Sequence, residues 1–410
     1  MKRQMRKKVV VIGAGQAGLS VSCCLLKQGI DHVLLERRRL GESWRSQRWD
    51  TFRLVLPNWT VNLPEYPYAG TDPDGFMSRE EIVRFLEDYS KKYSIPLIEN
   101  AEVTELIQAG NGFKCETKEA TFESDHVIVA TGPFQKPSVP SFATQLPQSI
   151  AQMHSSDYRN PQQLKAGAVL VVGSGQSGAQ IAEEIFENGR KVFLAVSHCS
   201  RVPRQFRGKD FAWWRAVPRG AWSEAVDNYP DPTAKFQCNS LLSGRNGGEE
   251  INLREYAQRG IVLLGRVESL VGEDTLKLAQ DINSNLEYAD MEYNQFLDNW
   301  RKYAKENNLQ LPEEEEQHAI KSSPVPEPKE ICLGQQQITN IIWSTGFRYD
   351  FSWIKAPVFD ETGYPKHFRG FAMPGLYFLG LPWLHKRNSA LLAGIAEDAI
   401  YTADQIKRNL

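Results

Sequence analysis

A chain of 410 residues is longer than one ordinary core covers and points to two domains. Its 41% hydrophobic and 24% charged residues are a globular mixture, and a formal net charge of −2 gives no basic field for nucleic acid or an anionic membrane. No run of about 18 apolar residues occurs, so no transmembrane helix is expected, and the sparse cysteines suit a reducing cytoplasm.

The basic start, Met1 to Lys8, followed by an apolar stretch has the outline of a secretory leader. Gly13, Gly15, Gln16, Gly18 and Ser20 interrupt that stretch, and no small-residue cleavage site closes it. A strand entering a glycine turn accounts for it better. Lys8 to Ile12 reads as a buried parallel strand, Gly13-Ala14-Gly15-Gln16-Ala17-Gly18 as the turn, and Gln16 to Gln28 as a helix stopped by Gly29. A second strand, His32 to Leu35, ends at Glu36, with Arg37 beside it.

This is a complete dinucleotide-binding unit. Gly13 permits the tight turn, Gly15 lets a pyrophosphate approach the backbone, and Gly18 lets helix and strand pack closely. The helix N-terminus offers unpaired N–H groups, and Glu36 stands where a carboxylate takes ribose hydroxyls.

The unit is written a second time. Ala168 to Val172 leads into Gly173-Ser174-Gly175-Gln176-Ser177-Gly178, then a helix through Ile181, Ile185 and Phe186 to Gly189, then a strand from Lys191 to Val196. Here the ribose position reads Ser197-His198, with no acid, and Arg201, Arg204 and Arg207 follow. Absence of a carboxylate with cations nearby favours NADPH over NADH, which stays open. The first seat then suits FAD.

Asp125 to Gly132 (DHVIVATG) and Asn340 to Gly346 (NIIWSTG) are two similar buried strands ending in Thr-Gly, and Gly375 to Gly380 is another apolar strand. The strands near 130 and 378 share one sheet if the first domain is interrupted by the second. The expected fold class is therefore α/β, with two Rossmann-like dinucleotide-binding domains and the NADP domain inserted into the FAD domain. The expected boundaries are 1–164 plus 335–410 for FAD and 165–334 for NADP. Within the latter, 281–330 reads as a solvated insertion: a helix from Tyr288 to Asn307, an acidic run from Glu313 to Glu316, and an extended loop at Pro324, Pro326 and Pro328. A last helix runs from Ala390 to about Ile406.

Cysteines stand at 23, 24, 115, 199, 238 and 332, none in C-x-x-C spacing, so neither a zinc knuckle nor a dithiol redox centre is expected. Electrons reaching the flavin would go to oxygen, a small substrate or a redox partner. Three readings follow: an oxygenase, an NAD(P)H oxidase or electron-transfer reductase, and a flavin redox sensor without turnover.

Several stretches resemble one family, the class B flavin-dependent monooxygenases, in particular short bacterial members akin to the plant auxin-forming enzymes. They are the GAGQAG turn, Gly41-Glu42-Ser43-Trp44-Arg45, VIVATG, the GSGQSG turn, Val202 through Asp210 (VPRQFRGKD), IIWSTGFR, and Gly380-Leu381-Pro382-Trp383 through Leu392. The family signature before the second fingerprint is matched in its second half by His154 and Tyr158, while Gln148 and Ile150 replace its usual Phe and Gly. His154 and Tyr158 are then expected to tie an interdomain hinge.

The resemblance implies that NADPH reduces FAD and that O2 then forms a C4a-(hydro)peroxyflavin, which oxygenates a small nitrogen, sulfur or carbonyl compound. It places Trp44 and Arg45 beside the flavin and Leu54 to Pro64 beneath it, with Asn58 or Asn62 bonded to the oxygen adduct; Asn58, Trp44 and Arg45 are the catalytic candidates. Packing for Trp44 and a turn role for Asn58 remain open. Cofactor contacts are expected from Gly13, Gly15, Gln16, Ala17, Gly18, Glu36, Arg37, Gly41, Ala130, Thr131, Gly132, Gly380 and Leu381 on the FAD side. On the NADP side they are expected from Gly173, Ser174, Gly175, Gln176, Ser177, Gly178, Ser197, His198, Arg201, Arg204, Thr345 and Gly346. Phe211, Trp213, Trp214 and Trp222 line either a substrate entrance or an interface core. No motif sets the oligomeric state; a homodimer is allowed, and no metal, nucleic acid or membrane partner is expected.

Overall fold

The computed structural model describes residues 2–216, 224–228, 238–314 and 323–410. The first β-branched run is longer than its apolar part: the strand spans Arg3–Ile12, and only its last four residues are buried. Those four pair in parallel with His32–Leu35 on one side and with the end of Ala120–Val129 on the other. Leu376–Phe378 joins the far edge of the same strand, Leu376 facing Val127. The chain therefore returns to its first sheet at the end, as expected for an interrupted domain. The outer half of Ala120–Val129 pairs antiparallel with Gly112–Thr117, which in turn pairs antiparallel with Val103–Ala109. Helices Gln16–Lys27 and Ile395–Arg408 pack together over the sheet.

The second sheet has five strands, all parallel, in the order Ala151–His154, Ile338–Trp343, Ala168–Val172, Val192–Ala195, Val262–Leu264. This shifts the expected boundaries. Ala151–His154 and Ile338–Trp343, assigned above to the FAD half, belong to the second domain's sheet. A fully buried parallel strand is apolar in either sheet, so the residues carry no label for one or the other. The crossings lie at the short pairing of Lys136–Pro137 with Phe347–Arg348.

The 281–330 stretch also differs from expectation. Its helix spans Ile282–Glu306 and buries Tyr293, Leu297, Trp300 and Ala304. Trp300 stacks on Trp214 at 5.3 Å between ring centroids, and Phe206 and Phe211 complete the cluster. The helix is thus a structural wall of the second domain, and Phe211 and Trp214 are core; Trp222 and Glu315–Glu316 lie outside the described residues. No helix among the described residues is long and apolar enough to cross a membrane.

Candidate functional site

At the first turn, Gly13 has φ +106°, and a Cβ there would lie 2.6 Å from the Ala130 carbonyl oxygen. A Cβ on Gly18 would collide with the Gly13 carbonyl, whereas one on Gly15 meets nothing within 4 Å. Two of the three glycines are required by protein packing; the third leaves open ground. Helix Gln16–Lys27 starts there without a side-chain cap, so its first N–H groups and positive dipole end face that opening. Glu36 is buried at the end of its strand, where it accepts the Ala14 N–H at 2.8 Å and the Arg38 N–H at 3.0 Å. Both oxygens keep lone pairs for ribose hydroxyls. These features fit the ADP half of FAD.

Other expected contacts converge on this opening. The Gly41 N–H donates to the Ala14 carbonyl at 3.0 Å, the Ala130 N–H to that of Ile12 at 2.8 Å, and the Thr131 hydroxyl accepts from Gln135. Gly132 and Gly380 have φ +70° and +75°, and a Cβ on Gly380 would lie 2.6 Å from that of Ala17, which brings the Gly380-Leu381 backbone against the helix start. Arg37 is exposed.

The flavin-side candidates separate. The Trp44 indole N–H donates to Gln16 Oε1 at 3.2 Å, tying the ring to the fingerprint helix. Arg45 is drawn away: its Nε donates to the Leu40 carbonyl and its Nη2 pairs with Glu87. Asn58 is buried, its Nδ2 donating to the Asp72 carbonyl at 2.9 Å and its Oδ1 accepting the Met77 N–H at 2.8 Å. That geometry is a loop brace, the turn role left open above; Asn62 is exposed in a short hairpin. Sequence reasoning missed Arg48, whose guanidinium lies 5.3, 5.6 and 5.0 Å from the ring centroids of Trp44, Phe52 and Phe134. Burial and the nearby Arg159 lower its pKa to about 10, which leaves it a cation at neutral pH. Its only sequence signal is placement four residues after Trp44.

The second turn repeats the backbone of the first. Gly173 has φ +102° with a Cβ position 2.5 Å from the Ser344 carbonyl oxygen, and a Cβ on Gly178 would strike the Gly173 carbonyl. The middle glycine differs: the Gly175 Cβ position is met by Cys238 Sγ at 3.5 Å, and that sulfur accepts the Gln176 N–H. Ser177 is half-buried in the first turn of that helix. The Ser174 hydroxyl turns inward, accepting the Ser197 N–H at 3.1 Å and lying 3.7 Å from Cys199 Sγ. A dinucleotide fits this seat once one side chain, that of Cys238, swings aside.

The cations expected at the adenosine 2′-phosphate are engaged elsewhere. Arg201 pairs with Glu250 at 2.8 Å and Asp290 at 3.2 Å and lies over the Tyr293 ring. Arg204 is buried against Asp210 at 2.7 Å and donates to the Val55 carbonyl. Arg207 donates to the carbonyls of Pro312 and Leu311. In this arrangement the three arginines brace the fold and do not stand free toward the second seat, against the expectation of a phosphate clamp. His198 remains at the ribose position, exposed and stacked on Tyr288 at 3.6 Å.

The joint between domains contains the other signature residues. His154 Nε2 donates to the Gly346 carbonyl at 2.9 Å, and its Nδ1 accepts from Ser156. Burial lowers its pKa, outweighing the Gly346 contact and Asp157, so the ring stays neutral. Thr345 donates to the Ser138 carbonyl across the same crossing. His154, Thr345 and Gly346 thus sit at the strand crossover. Trp49, from the FAD half, is buried in the second domain's core.

Two glycine turns with matching backbones, a buried carboxylate at one ribose position and none at the other define a two-dinucleotide flavoprotein oxidoreductase. The pyridine nucleotide-disulphide oxidoreductase family pattern matches residues 10–207. An uncharacterized CzcO-like oxidoreductase of Geobacillus kaustophilus is 36% identical over 97% of each chain. The probable indole-3-pyruvate monooxygenase YUCCA4 of Arabidopsis thaliana is 28% identical over 48% of this chain and 49% of that protein. Among solved structures, the flavin-containing monooxygenase from Stenotrophomonas maltophilia superposes with a TM-score of 0.67 at 19% identity, covering 100% of this chain and 99% of that one. The chain belongs to the family of CzcO-like oxidoreductases. It is an oxidoreductase whose fold carries two dinucleotide-type glycine turns.

Proposed function

We propose that the protein is an NADPH-dependent flavin monooxygenase acting on a small nitrogen-, sulfur- or carbonyl-containing compound. The observation that carries this reading is the asymmetry of the two seats: Glu36 closes the first ribose position with a carboxylate, and Ser197-His198 leaves the second without one. Bound FAD would supply hydride acceptance from NADPH and oxygen transfer to substrate. The chain's own groups do the rest. The first helix N-terminus and Gly15 seat the pyrophosphate, Glu36 holds the ribose, and Gln16 orients Trp44. Arg48, stacked among three aromatic rings, sets a fixed positive charge beside the cleft and favours electron-rich or anionic groups there. The resemblance to monooxygenases, the plant indole-3-pyruvate monooxygenases among them, supports oxygen transfer over simple electron transfer.

The test is anaerobic reduction of the FAD-loaded chain with NADPH, then rapid mixing with oxygenated buffer. A transient near-ultraviolet band, distinct from reduced and oxidised flavin and shortened by thioethers, amines or keto acids, supports the oxygenase. Direct return to oxidised flavin with release of peroxide assigns the chain as an oxidase or reductase. Failure of both NADPH and NADH to reduce the flavin overturns the role of the second fingerprint.

A further inference from the structure

Cys199 and Cys238 lie far apart in sequence and meet at the second fingerprint. The segments that carry them run side by side: Leu241 N–H donates to the Ser200 carbonyl at 3.0 Å, the Ser200 and Ser240 hydroxyls are 2.8 Å apart, and Arg201 bridges Leu241 in parallel. Cys199 lies one residue before Ser200 and Cys238 two before Ser240: Cys199 Sγ is 3.7 Å from the Ser174 hydroxyl, Cys238 Sγ is 3.5 Å from the Cβ position of the adjacent Gly175, and the two thiols interact side chain to side chain. Neighbouring backbones that bring both sulfurs to the same fingerprint turn provide the proximity a disulfide needs.

Cys199 differs from the other buried cysteines. Hydrogen bonds from Cys238, Ser174 and Ser197 lower the pKa of the Cys199 thiol against the effect of burial. Cys115 and Cys24, in apolar surroundings, are pushed up to about 12. Thiolate character is what makes a cysteine a nucleophile. Cys238 is half-buried, and Cys199 lines a small cavity with Ser197, Arg201 and Leu241. Cys238 also stands in for the ligand: its sulfur takes the Gln176 N–H and fills the space over Gly175 that a pyrophosphate would take.

We propose that Cys199 and Cys238 are a dithiol that a hydroperoxide converts to a disulfide, locking Cys238 over Gly175 and closing the second dinucleotide seat. The Cys199 thiolate attacks the peroxide, forming an S–O bond as the O–O bond breaks and hydroxide leaves. The Cys238 sulfur then attacks the sulfenic acid, forming S–S and releasing water, its proton going with the departing oxygen. Two electrons leave the sulfurs, and one peroxide becomes two waters. Hydrogen peroxide is the co-product when reduced flavin meets oxygen without a substrate, so the switch would halt NADPH consumption during unproductive turnover. The inference rests on the second fingerprint being a dinucleotide seat. Linkage makes it reciprocal: bound NADP+ holds Cys238 away from Gly175 and protects the pair.

The FAD-loaded chain is treated with hydrogen peroxide, quenched with catalase, and mapped by non-reducing peptide mass spectrometry, with NADP+ affinity measured by calorimetry. Expected are a linked Cys199–Cys238 peptide, suppressed when NADP+ is present, and an NADP+ Kd raised by about tenfold or more, which dithiothreitol reverses. Cys238→Ser should bind NADP+ with the same affinity before and after peroxide. A chain that binds NADP+ yet forms no linked peptide overturns this inference alone, as does a linked chain with unchanged Kd or a Cys238→Ser variant as peroxide-sensitive as the parent. Absence of NADP+ binding before any treatment overturns both this inference and the dinucleotide reading of the seat.

Discussion

The Tyr158 hydroxyl donates to Glu184 Oε2 at 2.8 Å inside the second domain. The other oxygen of Glu184 takes the Thr51 hydroxyl, from the FAD half, at 2.7 Å. One buried carboxylate on the second fingerprint helix therefore ties both the signature tyrosine and the opposite domain. Asp50 completes the joint, its N–H donating to the Arg159 carbonyl and its side chain accepting from Asn160. Tyr158→Phe removes one donor from a buried charge, which costs about 1–3 kcal/mol. Thr51→Ala should cost less, and the double variant should be non-additive because both hydroxyls serve one carboxylate. Urea midpoints test this; a Tyr158→Phe variant as stable as the parent would show that the contact contributes nothing.

The glycines of the first fingerprint should divide by mechanism. Gly15→Ala, with open space around the new methyl group, should fold with near-parental stability and lose FAD. Gly18→Ala, whose methyl group meets the Gly13 carbonyl, should be destabilised by about 1–3 kcal/mol or fail to fold. Thermal midpoints of the apo-proteins and flavin retention separate the two. Equal loss of stability in both variants would contradict the geometry.

Glu36→Gln replaces an acceptor pair by an amide that must keep the Ala14 N–H on its oxygen and turn a donor toward Arg38 N–H. FAD affinity should fall about tenfold or more, the size of one lost charge-assisted hydrogen bond. Quenching of flavin fluorescence on titration into apo-protein measures it. Undiminished affinity would remove Glu36 from the ribose site.

Arg201→Ala should behave as a structural variant. It leaves Glu250 without its ion-pair partner and Asp290 with Arg254 alone, and should cost about 2 kcal/mol, while the NADPH-to-NADH ratio of kcat/KM stays nearly constant. His198→Glu, by contrast, places a carboxylate at the ribose position and should move preference toward NADH. Steady-state kinetics with both nucleotides decide it; a collapse of the ratio in Arg201→Ala would restore that arginine to the phosphate site.

His154 carries a pH signature. Burial lowers its folded pKa below that of the unfolded chain, so below about pH 6.5 the unfolded state binds the extra proton. Its contribution to stability is present above that pH and is lost as pH falls, with a limiting slope of about 1.4 kcal/mol per pH unit for one proton. Compared with His154→Gln, the parent should lose more stability between pH 7 and pH 5. Parallel urea midpoints for the two across that range would refute the neutral, crossover role.

What the sequence determined by itself is what local backbone geometry writes down. Gly13, Gly15 and Gly18, their repeat at 173, 175 and 178, and Glu36 at a strand end are legible because turn, helix start and ribose acceptor are fixed within a few tens of residues. The return of Leu376–Phe378 to the first sheet was also readable, from the interruption that a repeated unit implies. The sequence could not say which sheet takes Ala151–His154 and Ile338–Trp343, since burial makes both strands apolar in either place. Nor could it assign the arginines. A cation is free or neutralised according to its spatial neighbours, and those of Arg201 and Arg204 are Glu250, Asp290 and Asp210. Cys199 and Cys238 showed no motif for the same reason: their pairing depends on two segments lying side by side, a contact that only the folded chain creates.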